Sequence, residues 1–242
     1  MFSPSVVNLR QFYATPFGES VRSLIARRLS VLWPESASDT ALGIGFAMPY
    51  MSGYLARRAP AIVCMPAAQG AVYWPPEQDN VVFLAYESEL PLPENSVNRV
   101  ILMHSVEHSE QLSGLMSEVW RVLTPGGRVM MVVPNRLSFW ARSERSPFGY
   151  GQPFTATQAR ALLTEHNFTL MRSASALFAP PLYWNWLWRI APKIEAVGNF
   201  LCPPLGGVLF IEAEKQLYAA IKQPAMARKK YRAAIVPAKA GV

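Results

Sequence analysis

Cysteine and histidine are scarce in this chain, two of the first and three of the second among 242 residues. Two thiols are too few for a disulfide framework or a cysteine-rich zinc centre, so Cys64 and Cys202 are expected as buried small apolar side chains. The longest uncharged apolar stretch, from Ala174 to Trp188, is interrupted by Pro180, Pro181 and Asn185. It falls short of the roughly 18 residues that a bilayer span needs. The opening MFSPSVVNLRQFY lacks the basic segment, apolar run and small-residue cleavage site of a secretory signal, and the cytoplasm is the expected compartment. Acid is missing in one place: from Lys222 onward there are six basic residues (Lys222, Arg228, Lys229, Lys230, Arg232, Lys239) and no Asp or Glu. The net charge of +7 is therefore a property of the tail, and the rest is nearly balanced. Such a tail is a candidate contact for nucleic acid, an acidic protein or a membrane surface.

What the chain has in quantity is apolar surface, 51% of its residues. That suits one sizeable core with extensions. A helix is expected over Glu19 to Leu32, where Val21, Leu24, Ile25, Leu29 and Leu32 share one face and Pro34 closes the segment. Short apolar runs then recur at Ala41 to Ile44, Ala61 to Met65, Asn80 to Ala85, Arg99 to Met103 and Arg128 to Val133, strand-length and without the alternation of half-exposed strands. Leu112, Leu115, Met116, Val119 and Leu123 mark a helix between the last two, ended by Pro125-Gly126-Gly127. Thr155 and Gln158 read as a capping box, Phe168 to Arg172 as a sixth strand and Gly207 to Ala213 as a last one. Alternating strands and helices predict an α/β fold with a mostly parallel central sheet and helices on both faces, with ligands beyond the carboxyl ends of the strands. The long segment Pro134 to Phe154 is expected to cover a site, and Asn135, Arg136, Trp140, Arg142 and Tyr150 are its candidates for meeting a substrate. The apolar section Leu177 to Leu201 is expected to pack as core. The divisions that follow are an N-terminal helical extension (1–38), an α/β core (39–175), an aromatic helical extension with the last strand (176–221) and a basic tail (222–242).

Three motifs in order point to a family. Leu90-Pro91-Leu92-Pro93 precedes the fourth strand, Glu107-His108 follows it, and Arg121-Val122-Leu123-Thr124-Pro125-Gly126-Gly127 leads into the fifth. With this spacing the stretch from Val82 to Val133 resembles the second half of a class I S-adenosylmethionine-dependent methyltransferase domain, and the phrases GIGFAMPYM and CMPAAQGAVYWP are similar to a bacterial group of methyltransferase-like proteins. The resemblance implies a Rossmann-like fold, S-adenosylmethionine as cofactor, and methyl transfer to an acceptor it does not identify; the aromatic covering segment and the apolar section from Leu177 make an apolar or aromatic acceptor the candidate.

It also implies where the cofactor sits. In the family a glycine-rich turn after the first strand lets the methionine part approach bare backbone, which here assigns Gly43, Ile44, Gly45, Phe46 and Ala47. The ends of the second and third strands place Met65, Pro66 and Glu87 near the adenosine, and the loop after the fourth places His104. Four usual acidic positions differ together: Gly43, the stretch Cys64-Met65-Pro66, Tyr86 and Asn98. Gln69 and Glu87 are the nearest substitutes, and lost charge-assisted hydrogen bonds cost roughly 1.5–3 kcal/mol each when uncompensated. Three readings stay open: a methyltransferase with altered cofactor contacts and His104 as the candidate base, a cofactor-free scaffold that binds a protein partner, or a peripheral protein that associates with a surface through the aromatic section and the basic tail. His104-Ser105-Val106-Glu107-His108 also fits a zinc-peptidase spacing. That chemistry needs a helix beneath the motif and a third ligand, so no metal is expected.

Overall fold

In the computed structural model, which describes residues 5–34 and 38–216, the apolar runs all enter one seven-stranded sheet. Its strands are β1 (Ala41–Gly45), β2 (Ala61–Pro66), β3 (Val82–Ala85), β4 (Val97–Met103), β5 (Leu123–Pro134), β6 (Phe168–Ala176) and β7 (Val208–Lys215). The order is β3-β2-β1-β4-β5-β7-β6. The first five run parallel, and β7 is antiparallel to both β5 and β6. The helices are α1 (Val6–Tyr13), α2 (Pro16–Leu32), α3 (Met48–Ala56), α4 (Leu112–Val122), α5 (Ala156–Glu165) and α6 (Asn185–Leu201). Successive strand residues point to opposite faces. Ala41, Val63, Ile101 and Val132 meet α1, α2, α3 and α6, while Leu42, Cys64, Leu102 and Met131 meet α4 and α5. Covering both faces is why these strands carry no polar alternation.

Local chemistry sets the helix starts. Thr15 caps α2 by accepting from Gly18 N at 2.9 Å, with Pro16 just inside, so the helix begins before the predicted Glu19. Pro49 likewise sits in the first turn of α3, where its missing N–H costs nothing. The capping box at α5 is formed in both directions, Gln158 N to Thr155 Oγ1 at 3.2 Å and Thr155 N to Gln158 Oε1 at 3.0 Å. Helix α1 was not anticipated. Its buried Val6, Leu9 and Tyr13 span only two turns, too short a pattern to stand out as helical.

Strand β7 is fastened by two buried charges. Glu212 accepts from Arg128 on β5 at 3.2 Å and from Arg172 on β6 at 2.7 Å. Lys215 donates to Leu123 O at 2.6 Å and Asn95 Oδ1 at 2.7 Å, over the face of Trp120.

Two expectations are corrected here. The section Leu177 to Leu201 is core only along its inner side, at Leu177, Ala179, Leu187 and Ala191; Trp186, Ile190, Val197, Phe200 and Leu201 are exposed. The reason is that α6 is an outermost helix, and such a helix buries one stripe only. Cys64 is buried but Cys202, just past α6, is exposed. No helix among the described residues is long and apolar enough to cross a membrane. The basic tail 222–242 lies outside the described residues.

Candidate functional site

The strand ends converge on a cleft. Pro66, Ala67, Ala68 and Gln69 come from the end of β2, Tyr86, Glu87 and Ser88 from the end of β3, Ser105 and His108 from the loop after β4, and Glu110 and Gln111 from the approach to α4. It encloses about 200 Å³, with mostly apolar walls, at the place that a parallel sheet reserves for ligands. Three buried polar atoms on its wall have no hydrogen-bond partner: Gln69 Oε1, Ser105 Oγ and His108 Nε2. Buried polar atoms are nearly always paired, so these three point to a polar ligand in the cleft. Glu87, half-buried at the rim, takes hydrogen bonds from Ser109 Oγ and, at 3.4 Å, from Gln111 N. That ties the end of β3 to the start of α4.

Beside the cleft the molecule is closed. Tyr13 of α1 stacks on Phe46 with ring centroids 5.4 Å apart and planes 7° from parallel, and its hydroxyl lies 2.8 Å from His104 Nε2. His104 Nδ1 is 3.1 Å from Glu107 Oε1, and the His104 carbonyl accepts from Gln69 Nε2. Gln69 O in turn accepts from Val6 N at 2.8 Å, so α1 is fastened to the β2 end as well. Burial opposes ionisation of Glu107, but the His104 hydrogen bond and the neighbouring imidazoles outweigh it and hold the carboxyl below its usual range. An ionised Glu107 accepts, so Nδ1 of His104 carries the proton and Nε2 accepts from Tyr13. Burial pushes the Tyr13 phenol well above its ordinary range and pushes His108 down.

Of the residues assigned to the cofactor from sequence, Pro66 and Glu87 line the cleft. Gly43, Ile44, Gly45, Phe46, Ala47, Met65 and His104 are buried beside it. Gly43 has a packing reason: a Cβ there would stand 2.6 Å from Ala47 Cβ. Gly45 has φ +81°, and a Cβ there would run into the Met103 carbonyl of the neighbouring strand. Asn98 serves the opposite end of the sheet, accepting from Thr40 N at 2.9 Å and donating to Thr124 Oγ1 at 3.3 Å. The covering segment packs over the β4 end through Phe148, 5.0 Å from the His104 ring, and Gln152 N, which donates to Glu107 O at 2.7 Å. Within it Asn135 is buried and holds the Pro204 and Gly206 carbonyls, both at 2.7 Å, Trp140 is buried, Tyr150 donates to Glu144 O, and Arg136 and Arg142 are exposed. Sequence reasoning missed Tyr13, Ser105 and the cleft-facing role of His108. The Glu107-His108 pair was the available signal for the last.

His104, Glu107 and His108 bring one ligand-capable atom each to within 4.8 Å of one another. The arrangement differs from a zinc peptidase. Val106–His108 is a single 3-10 turn, His104 precedes it at φ +51°, and both its ring nitrogens are already bonded.

Apolar walls and the polar groups of Gln69, Ser105, His108 and Glu87 meet in the cleft. The face of the β1 turn is covered by Tyr13 and Phe46.

The strand order, with one antiparallel strand between β5 and β6, defines a Rossmann-like class I methyltransferase fold. Solved structures share it. A methyltransferase from Thermotoga maritima, described as a possible histamine N-methyltransferase, superposes with a TM-score of 0.64 at 15% identity, covering 87% of this chain and 96% of that one. A methyltransferase from Archaeoglobus fulgidus gives 0.58 at 17%, covering 86% and 98%. The family model "Methyltransferase domain" matches residues 42–131. A probable S-adenosylmethionine-dependent methyltransferase of Mycolicibacterium smegmatis is 42% identical over 52 residues, 22% of this chain and only 20% of that protein. Residues 42–131 are thus similar to the methyltransferase-domain family, within a chain that spans about a fifth of the length of the curated relative it matches.

Proposed function

We propose that this chain is an S-adenosylmethionine-dependent methyltransferase whose cofactor places its nucleoside in the cleft between the ends of β2, β3 and β4. The observation that carries the reading is that three residues lining one apolar-walled cleft at the family's ligand position, Gln69, Ser105 and His108, each carry a buried polar atom without a hydrogen-bond partner. The cofactor supplies the methyl group; the chain's own task is to bind, orient and exclude water. Gln69 and Glu87 offer oxygens to hydroxyl or amine donors, Ser105 offers a hydroxyl, and Pro66 and Tyr86 offer apolar surface to a base. Gly43 to Ala47 and His104 form the wall on the amino-acid side, and Tyr13 must withdraw from Phe46 before that end is seated. His104, held by Glu107 in the tautomer whose Nε2 accepts, becomes available as a base when Tyr13 leaves. The acceptor we read as apolar or aromatic, since a second cleft is walled by Phe17, Tyr183 and Trp188, and the packed rings of Trp140 and Phe148 link its wall to His104. Both cysteines are free, in keeping with a cytoplasmic setting.

Calorimetric titration with S-adenosylhomocysteine, S-adenosylmethionine and adenosine tests this. All three are expected to bind, and Gln69→Ala with Ser105→Ala should weaken each by about tenfold or more, two lost hydrogen bonds at roughly 1 kcal/mol apiece. No binding at millimolar ligand, by wild type and by a Tyr13→Ala variant alike, would overturn the reading in favour of a scaffold.

A further inference from the structure

The outer face of α6 is built unlike the rest of the surface. Trp186, Ile190, Lys193, Val197 and Phe200 are all exposed, and their spacing of four, three, four and three residues aligns them in one seam along the helix. Phe200 is 85% exposed and Trp186 58%. Leu201 and Leu205 extend the seam at one end, and Trp184, stacked on Trp186 at 5.9 Å, at the other. The inner side of the helix is fully occupied by the protein: Leu187 and Ala191 are buried, Trp188 and Ile194 pack on the core, and Gly198 admits the Phe178 ring. The seam is therefore not a displaced core face, and its apolar surface faces water along about 25 Å of helix.

Its exposed charges are of one sign: Arg189 and Lys193 lie on the exposed side of α6, and exposed Arg27 of α2 stands along its flank. The groove between the two helices is lined by Arg27, by half-buried Arg28, which donates to Asn199 Oδ1 at 2.9 Å, and by Glu195, the carboxylate of α6. It accepts from Leu177 N at 3.0 Å and Phe178 N at 2.6 Å. A cationic rim around exposed tryptophan, phenylalanine and aliphatic side chains is complementary to an anionic bilayer surface: aromatic rings settle at headgroup level and lysine reaches outward past apolar neighbours. A second copy of the chain fits worse. Lys193 is the midpoint of the seam, so a two-fold axis through it would set Lys193 against its own mate. A helix of 17 residues with these charges is too short and too polar to cross a bilayer.

We propose that α6 is an interfacial membrane-binding helix, which docks the protein on anionic phospholipid through Trp186, Ile190, Val197 and Phe200 with Arg189 and Lys193 at the headgroups. This is independent of cofactor binding. Co-sedimentation of the full chain is the test, using vesicles of pure phosphatidylcholine and of three parts phosphatidylcholine to one part phosphatidylglycerol. The chain should pellet with the mixed vesicles and stay in solution with the neutral ones. Trp186→Ser with Phe200→Ser should weaken pelleting by tenfold or more, and Lys193→Gln by about fivefold, each without change in Tm because the side chains are exposed. The full chain with Arg228, Lys229, Lys230 and Arg232 changed to Gln separates the helix from the tail and should keep the sensitivity to Trp186 and Phe200. Equal pelleting by the Trp186/Phe200 variant and wild type, binding to neutral and mixed vesicles alike, or a dimer in sedimentation velocity that the Trp186/Phe200 variant dissolves would each overturn the proposal.

Discussion

A side chain at Gly45 would have nowhere to go. Its φ of +81° disfavours any L-residue, and the Met103 carbonyl occupies the place of a Cβ. Gly45→Ala is therefore expected to lower stability by more than about 2 kcal/mol, seen as a Tm fall of several degrees; a wild-type Tm would mean that β1 and β4 do not approach this closely. Loss of ligand binding in a Gly45 variant would then report on folding first. The same logic explains the missing acid at Gly43. Ala47 takes up the space, so the two small residues are coupled, and a carboxylate restored at Gly43 alone would displace α3 from the sheet. From sequence these positions read as altered cofactor chemistry, because a glycine's reason is invisible until the atom it avoids is known. Gln69 illustrates the reverse: its proximity to the end of β2 was legible, but the commitment of its amide nitrogen to the His104 carbonyl, which leaves its oxygen buried without a partner, joins residues 35 apart.

Among the elements, α1 was the least legible. Its two turns hold Tyr13 over the β1 turn by stacking on Phe46 and by a hydrogen bond to His104, among other contacts. An ordered wall of this kind lowers the apparent affinity for anything that needs the same space, by the fraction of molecules in which it is withdrawn. Tyr13→Ala should therefore tighten S-adenosylhomocysteine binding by about fivefold, the worth of roughly 1 kcal/mol of lost closure, while leaving adenosine affinity unchanged. Weaker S-adenosylhomocysteine binding would instead show that Tyr13 is itself a ligand contact. The strands and α4 were readable within a few residues because their periodicity is sustained and both faces of the sheet are covered. Helix α6 was readable as apolar but not as exposed. Hydrophobic content says that a surface should be covered, and only the packing of Leu187, Ala191 and Gly198 shows which side already is.

At the scale of the molecule, buried titratable groups near the cleft couple folding to pH. Burial lowers the His108 pKa, so the unfolded chain takes up a proton below about 6.5 that the folded chain refuses. Stability should fall as pH drops from about 6.5, and His108→Asn should flatten that part of a Tm-against-pH curve. Glu107, held low by His104, adds stability that is full above about pH 4.3 and is lost as pH falls through its depressed value. A Tm unchanged between pH 7 and 5 would show that His108 titrates freely. The order of apolar runs, their length and the Leu-Pro, Glu-His and Pro-Gly-Gly punctuation were enough, within the sequence, to determine a parallel sheet with helices on both faces and a site at its carboxyl edge. They could do so because local periodicity and turn chemistry are carried by neighbours in the chain. What only the tertiary structure decided was which cofactor-side residues reach open space, that Tyr13 closes one half of the site, and that α6 turns an aromatic seam outward. Each of these is a contact, or a missing contact, between residues far apart in sequence, and no local pattern encodes it.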